Sequence, residues 1–305
     1  MIKSITATNY LGDSITIDLA RPELSGFAVT SITGLGPGAA TINATEVATN
    51  DGSLFNSARL PSRNIVISLK FLWNDTIEDV RHLSYKHFPI KKKVTILIET
   101  DTRTAEIEGI VEENDPTIFS NSEGSDISII CPNPFFYSAG ANGVQTTLFS
   151  GIEPRFEFPF SNESLTESLI EMSSMENRTE KSIWYQGDAD VGVTITIHAT
   201  GDASNIAIYN TGTREIMRID TNKIKTMTGS GIVAGDDIVI CTVKNKKSVT
   251  LVRNGISTNI LNCLTKDSDW FTLTRGDNIF AFTADGEGDY NLQFKVENQI
   301  AYEGV

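Results

Sequence analysis

The stretch RNIVISLKFLW, residues 63–73, alternates large apolar side chains with more polar ones. Every odd position from 65 to 73 is large and apolar, whereas Asn64, Ser68 and Lys70 fall on the opposite face. This two-residue period is that of a β-strand with one buried and one solvated face. The stretch therefore predicts antiparallel β-structure over a core that lies on one side of the sheet.

Neighbouring segments extend this sheet and add one helix. Residues 94–99 and 104–111 alternate in the same way around a polar tip at residues 100–103, which predicts a hairpin. Residues 75–88 instead repeat apolar side chains at helical spacing, after capping oxygens at residues 74–76, and Pro89 ends the helix. Lys91, Lys92 and Lys93 follow and are placed to contact the last helical carbonyls. Three lysines fall short of a charge block, so they are interpreted as a solvated face, not a nucleic-acid patch.

The segment at residues 131–143 divides the chain into two domains, residues 1–138 and 139–305. Pro132 and Pro134 preclude a central strand there, and the small residues at 139–143 form a joint. From Gln145 onward, seven short apolar strands alternate with turns rich in Gly, Asn and Asp, the clearest being Asn254-Gly255. This spacing is typical of an all-β sandwich. The predicted fold class is mainly β in both domains.

Composition excludes several classes of function. The 305 residues carry 25 Lys and Arg against 39 Asp and Glu, a formal charge of −14, so the chain is expected to repel nucleic acid. Its apolar runs are far shorter than the roughly 20 residues that span a bilayer, and no signal peptide is expected at the start. Cys131, Cys241 and Cys263 are widely spaced, which favours unpaired thiols and synthesis in a reducing cytoplasm.

One glycine-rich loop raises the question of a phosphate site. The stretch TGLGPGAAT, residues 33–41, has glycines at positions 34, 36 and 38, but Pro37 removes a donor, no lysine follows, and the next residues favour a strand. A phosphate loop needs successive N–H groups and a following helix. The loop is therefore predicted to be a turn.

No constellation for catalysis or metal binding is found in the sequence. His82 and His87 are five residues apart and point to different faces of the helix, and His198 stands alone at a strand end. The acidic stretch at residues 285–291 begins like a calcium loop but lacks the required sixth-position glycine and twelfth-position acid. We therefore expect no catalytic, cofactor-binding or metal residues, no cofactor and no enzyme activity.

Nearly the whole chain resembles the distal tail proteins of siphophages that infect Gram-positive bacteria. The matching stretches, in order, are residues 32–39, 50–55 and 63–65, the helix at 75–88, CPNPFF at 131–136, DWFTLTRGDNIF at 269–280 and the terminal residues 303–305. The resemblance implies an N-terminal β-barrel-like belt domain with one helix and a β-hairpin arm, and a C-terminal galectin-like β-sandwich.

The resemblance also implies a structural virion protein, made in the bacterial cytoplasm and located at the phage tail tip. Six copies would close into a ring that joins the tail tube protein to the tail-tip protein, with no nucleic-acid binding or membrane insertion. The hairpin at 94–111 and the helix at 75–88 are candidates for contacts between copies; alternatively they complete the core of their own domain. Acidic side chains of the first domain are expected to line the opening.

Two other functions stay open. A carbohydrate-binding sandwich would use Trp184, Tyr185 or Trp270 as a stacking platform, although such aromatics usually pack in the core. Galectins bind sugar through a His-x-Asn-x-Arg motif, and this chain has His198-Ala199-Thr200-Gly201 instead, so sugar binding does not carry over. A cell-wall hydrolase would need an acid/base pair of carboxylates, and none is assignable.

Overall fold

The computed structural model describes residues 1–46, 51–72, 76–120, 122–141, 143–154, 173–177, 179–285 and 291–305. Strands dominate these residues, which confirms the mainly β fold class. Contacts divide the chain into a first unit, Met1–Gly143 with Ile300–Val305, and a second unit, Val144–Gln299. The sequence had left the last six residues in the second domain. They join the first unit because Ala301 and Tyr302 pair with Tyr137 and Phe136 in an antiparallel ladder.

The described residues of the first unit form ten strands and one α-helix before the joint. These are β1 (Ile2–Asn9), β2 (Ser14–Asp18), β3 (Phe27–Thr33), β4 (Thr41–Glu46), β5 (Ser53–Arg59), β6 (Arg63–Phe71), α1 (Ile77–His87), β7 (Lys93–Thr100), β8 (Thr104–Pro116), β9 (Gly124–Cys131) and β10 (Phe136–Ser138). The main sheet has the order β2-β1-β7-β8-β9-β6-β3, and all its pairs are antiparallel.

The core of the first unit lies on one face of this sheet. In β6 the residues at 65, 67, 69 and 71 are buried and the intervening ones face outward, as the alternation predicts. The sheet curls, because its two edge strands, β2 and β3, contact each other, and the short 3-10 turn at Pro22–Leu24 connects them. The result is the barrel-like arrangement implied by the resemblance.

Helix α1 closes the core and differs in detail from the prediction. It begins at Ile77, where the Thr76 side chain accepts a hydrogen bond from the Asp79 N–H, and Asp75 lies outside the described residues. Its apolar face, Ile77, Val80 and Leu83, packs on the core. The last carbonyls accept hydrogen bonds from the Asn9 and Asn114 side chains, so the expectation that Lys91–Lys93 would cap them is wrong. Asparagine amides on the adjacent strands are already in place to donate.

The second unit has two main sheets. Its elements are β11 (Val144–Leu148), β12 (Ser150–Pro154), β13 (Ser173–Asn177), β14 (Glu180–Tyr185), β15 (Val191–Gly192), β16 (Thr194–Ala199), β17 (Ile206–Asn210), β18 (Glu215–Ile219), α2 (Thr221–Thr228), β19 (Asp237–Cys241), β20 (Ser248–Arg253), β21 (Ile256–Asn259), a 3-10 turn (Leu261–Cys263), β22 (Thr272–Leu273), β23 (Gly276–Thr283) and β24 (Leu292–Gln299); Ala301–Tyr302 in the first unit is β25. One sheet has the order β11-β24-β16-β19-β20-β21 and the other β14-β23-β17-β18.

These two sheets face each other across an apolar core. Phe294 of β24 stacks on Phe282 of β23 with ring centroids 3.5 Å apart, which joins the two sheets face to face. The predicted sandwich is therefore present. Asn254 and Gly255 have φ of 50° and 77°, which confirms the predicted hairpin turn between β20 and β21. Helix α2, capped by the Asp220 side chain and Gly229, was not predicted.

Candidate assembly surface

The glycine-rich loop at residues 33–41 presents carbonyl oxygens, not N–H groups, to its neighbour. The Arg63 guanidinium donates to the carbonyls of Gly34 and Gly36, each at 2.6 Å. Gly34 has a φ of +83°, and a Cβ there would lie 2.1 Å from the Asn64 carbonyl oxygen, so only glycine fits. The loop is a turn, as predicted, and the charge it accommodates is a cation of the protein itself.

Arg63 connects this loop to two other segments. Its guanidinium also donates to the carbonyls of Pro134, at 2.7 Å, and Glu303, at 2.6 Å, and lies 4.8 Å from the centre of the Phe136 ring. The side chain is buried, and this burial lowers the pKa of the Arg63 guanidinium. Because one side chain satisfies four carbonyls from three segments, the loop that precedes β4 is held firmly to the body of the unit.

Strands β4 and β5 form a hairpin that pairs with no other described strand, and we call it the arm. Every described residue of both strands is exposed, including Ile42, Leu54 and Phe55, each more than 60% exposed. A two-stranded hairpin alone is marginally stable in water, and exposed apolar side chains on an edge favour association. The arm therefore has the properties of an element that is completed by a partner.

The face of the main sheet opposite the core carries mostly polar and acidic side chains. Side-chain alternation and register place four apolar residues on this face of β7, β8, β9 and β6, namely Val66, Leu97, Ile110 and Ile130, among a larger set of polar ones that includes Lys70, Lys93, Thr95, Glu99, Glu106, Glu108, Glu113, Asp115, Asp126 and Ser128. Acidic residues outnumber the two lysines. A surface of this kind repels phosphate groups.

The two segments expected at contacts between copies complete the core of their own unit. Strands β7 and β8 lie in the interior of the sheet, between β1 and β9, and Val94, Ile96 and Ile107 are buried. Helix α1 packs its apolar face on the same core. Neither the hairpin nor the helix leaves an unpaired strand edge, whereas the arm does.

The three histidines have surroundings that fit structural roles. His82 is exposed beside Glu78, His87 is buried at the end of α1, and the His198 Nδ1 lies 2.7 Å from an Asp237 carboxylate oxygen. Among the described residues, no group of three His, Cys, Asp or Glu side chains is placed to hold a metal ion. The calcium-like stretch at 285–291 lies mostly outside the described residues, since 286–290 are not part of them.

The cysteines and the aromatic residues considered as a sugar platform differ in how deeply they are buried. Cys131 and Cys263 are buried unpaired thiols, and burial raises the pKa of Cys131 to about 11. Tyr185 is fully buried and donates its hydroxyl to the Ala189 carbonyl at 2.7 Å, as a core residue does. Trp184, by contrast, is 64% exposed, so the expectation that it packs in the core is wrong. Alternation explains this, because Tyr185 takes the inward position of β14 and Trp184 the outward one.

Comparison with known proteins finds a family match within the second unit. Residues 186–297 match the family model for the siphovirus-type tail component, C-terminal domain. The resemblance to siphophage distal tail proteins is confirmed. The structure is also similar to that of the SPP1 Dit protein of phage SPP1, with a TM-score of 0.66 and 14% identity over 98% of this chain and 99% of that one.

A second solved structure extends the likeness. The chain is similar to a chain of the phage P2 baseplate in its activated conformation with Ca, with a TM-score of 0.52 and 12% identity over 98% of each chain. At these identities the likeness is one of fold. No curated protein matches the sequence. No described helix has the length and apolar character needed to cross a membrane.

Proposed function

We propose that this chain is a structural hub protein of a siphophage tail. Six copies form a ring that joins the tail tube protein to the tail-tip protein, and the chain acts by assembly, without catalysis. The observation that carries the proposal is the arm, which exposes Ile42, Leu54 and Phe55 on a fold shared with the SPP1 Dit protein, described as a paradigm of the hub adsorption apparatus. The protein is thus a component of the virion.

The polar face of the main sheet supports the same role. In a ring whose opening passes a DNA genome, the lining must not bind phosphates. Glutamates and aspartates on this face provide the like charge that prevents such contacts. We assign this face to the lumen, since helix α1 and the core occupy the other face.

The ring is tested by measuring the mass of the full-length chain by native mass spectrometry, with negative-stain images of the same sample. We expect closed rings of six copies for the wild-type chain. The double variant Leu54→Asp/Phe55→Asp removes two apolar contacts worth about 1.5–3 kcal/mol each at every interface, so its rings should dissociate. The matched control Ile256→Asp alters an equally exposed residue of the second unit and should leave the ring intact.

A carbohydrate-binding role for the second unit is the alternative function, and one observation favours it. Trp184 is exposed on the outer face of β14, directly opposite Asp277 of β23, whose carboxylate accepts a hydrogen bond from Ser182 at 2.8 Å. An exposed indole beside a carboxylate is a typical platform for a sugar ring. Calorimetry of the full chain with cell-wall glycans should show binding that Trp184→Ala abolishes; absence of heat with the wild-type chain would exclude this alternative.

A further inference from the structure

A patch at one end of the first unit combines apolar and basic side chains, and we call it the turn patch. It consists of Tyr10 and Leu11 in the β1–β2 turn and of Ile90, Lys91 and Lys92 between α1 and β7. Tyr10, Leu11 and Ile90 are each at least half exposed. The two segments lie together, since the Lys92 Nζ is 5.1 Å from the centre of the Tyr10 ring.

The turn patch carries positive charge with which no acid among the described residues forms an ion pair. The flanking lysines are paired: Lys86 with Asp13 at 3.3 Å, and Lys93 with Glu108 at 2.7 Å. Lys91 and Lys92 make no ion pair within the part of the chain that the structure describes. In a chain with a formal charge of −14, this local excess of positive charge attracts an acidic partner.

The outer end of the arm has the complementary character. Leu54 and Phe55 are exposed there, opposite Thr45 and Ala44. Glu46 ends β4 and Asp51 precedes β5, and neither acid has a basic partner among the described residues. The arm end is therefore apolar and acidic, whereas the turn patch is apolar and basic.

We propose that the arm end of one copy docks on the turn patch of the next copy. Leu54 and Phe55 then cover Tyr10, Leu11 and Ile90, and the two acids face Lys91 and Lys92. The contact is heterologous, since two different surfaces meet, and such contacts generate a ring when the rotation closes. The six-residue strand β4 reaches about 20 Å at 3.3 Å per residue. This inference rests on the proposed ring and names the surface that receives the arm.

Charge reversal with rescue tests the pairing. The variant Lys91→Glu/Lys92→Glu and the variant Glu46→Lys/Asp51→Lys each place like charges across the contact. Each should raise the dissociation constant of the ring at least about tenfold, as measured by mass photometry of the full chain across a dilution series at low salt. The combination of all four substitutions restores opposite charges and should bring the dissociation constant back to within about threefold of the wild-type value.

The control Lys244→Glu/Lys246→Glu makes the same change of charge on exposed residues of the second unit and should leave the dissociation constant unchanged. If both reversal variants form rings as stable as those of the wild type, the docking is overturned but the ring is not. The turn patch would then be the binding surface for a different tail protein. Two weakened variants without rescue in the combination would also overturn the pairing. A wild-type chain that stays monomeric at all concentrations would overturn the proposed ring itself.

Discussion

Replacement of Arg63 by methionine should destabilise the first unit strongly. Methionine keeps much of the side-chain volume but leaves four partly buried carbonyl oxygens without their donor. Hydrogen bonds from a charged donor contribute about 1.5–3 kcal/mol each, and four of them would sum to about 6–12 kcal/mol if they were additive. Relaxation of the loop lets water reach some of these oxygens, so we expect a loss of about 3–5 kcal/mol in the free energy of unfolding.

The measurement is hydrogen exchange of the full chain in increasing denaturant, because the two units are then followed separately by their own peptides. Peptides from β6 report on the first unit and peptides from β16 on the second. Arg103→Ala is the matched control: this arginine donates to the Gly304 carbonyl at 3.4 Å and lies over the Tyr302 ring, but it is exposed. Loss of the Arg103 side chain should lower the free energy of unfolding by less than about 1 kcal/mol.

Arg63→Lys should lower the free energy of unfolding by an amount between those expected for Arg63→Met and Arg103→Ala. Lysine retains the charge, but its single ammonium group cannot reach four carbonyls in the planar geometry that the guanidinium provides. If Arg63→Met unfolded the first unit no more readily than Arg103→Ala does, the buried guanidinium would not hold the loop in place, and the reasoning would be refuted. Loss of protection in the second unit as well would show that the effect is not confined to the segments that Arg63 joins.

Three further outcomes are expected. Gly34→Ala should cost at least about 2 kcal/mol in chemical denaturation, because its Cβ meets the Asn64 carbonyl oxygen at 2.1 Å; a neutral result would contradict that geometry. Asp236→Asn should destabilise the second unit by about 3–5 kcal/mol, since the partly buried Arg253 loses the counter-charge of the buried Asp236; a wild-type melting curve would refute this. Burial and the Lys86 charge lower the pKa of His87 below 6.5, so stability should fall as the pH drops from 6.5 through the folded-state pKa; the same slope in His87→Gln would refute the assignment.

The sign of the Asp236 effect with pH follows from its environment. Burial alone would raise the pKa of this carboxyl, but hydrogen bonds from Arg253 and the Val233 N–H, together with the Arg253 charge, hold the pKa below its usual value of 3.8. The ionised form is thus the one that the folded state favours. Its contribution to stability is present above pH 3.8 and is lost as the pH falls through the folded-state pKa.

Much of the fold follows from local pattern. Strand β6 has the buried and exposed positions that its alternation predicts, because one face of the sheet must meet the core. The turn at Asn254-Gly255 follows from the backbone conformation that only such residues adopt readily. The boundary of α1 shifted by two residues at its start, since Thr76 provides the capping oxygen. These features depend on neighbours in sequence.

Features that depend on contacts between distant residues could not be predicted from local sequence pattern. The sequence predicts a strand at β4, but nothing in it shows that β4 and β5 would stand apart from the sheet. Trp184 and Tyr185 are adjacent aromatics, and only the pairing of β14 with β23 decides which one faces solvent. The turn patch joins residues 10–11 with 90–92, which meet because β1 pairs with β7 as far as Asn9 and Val94, and the Asn9 side chain also donates to the carbonyl of Lys86.

The glycine-rich loop, held by Arg63, forms the base of the arm. A phosphate loop turns its N–H groups inward to an anion, whereas this loop turns its carbonyls inward to Arg63 and so fixes the point from which β4 departs. An arm with a rigid base loses less conformational freedom on docking than an arm on a flexible tether. In the proposed ring, the buried guanidinium therefore contributes to assembly without touching the neighbour. Arg63→Lys should weaken the proposed ring even though every residue of the proposed contact is unchanged, which distinguishes preorganisation from direct contact.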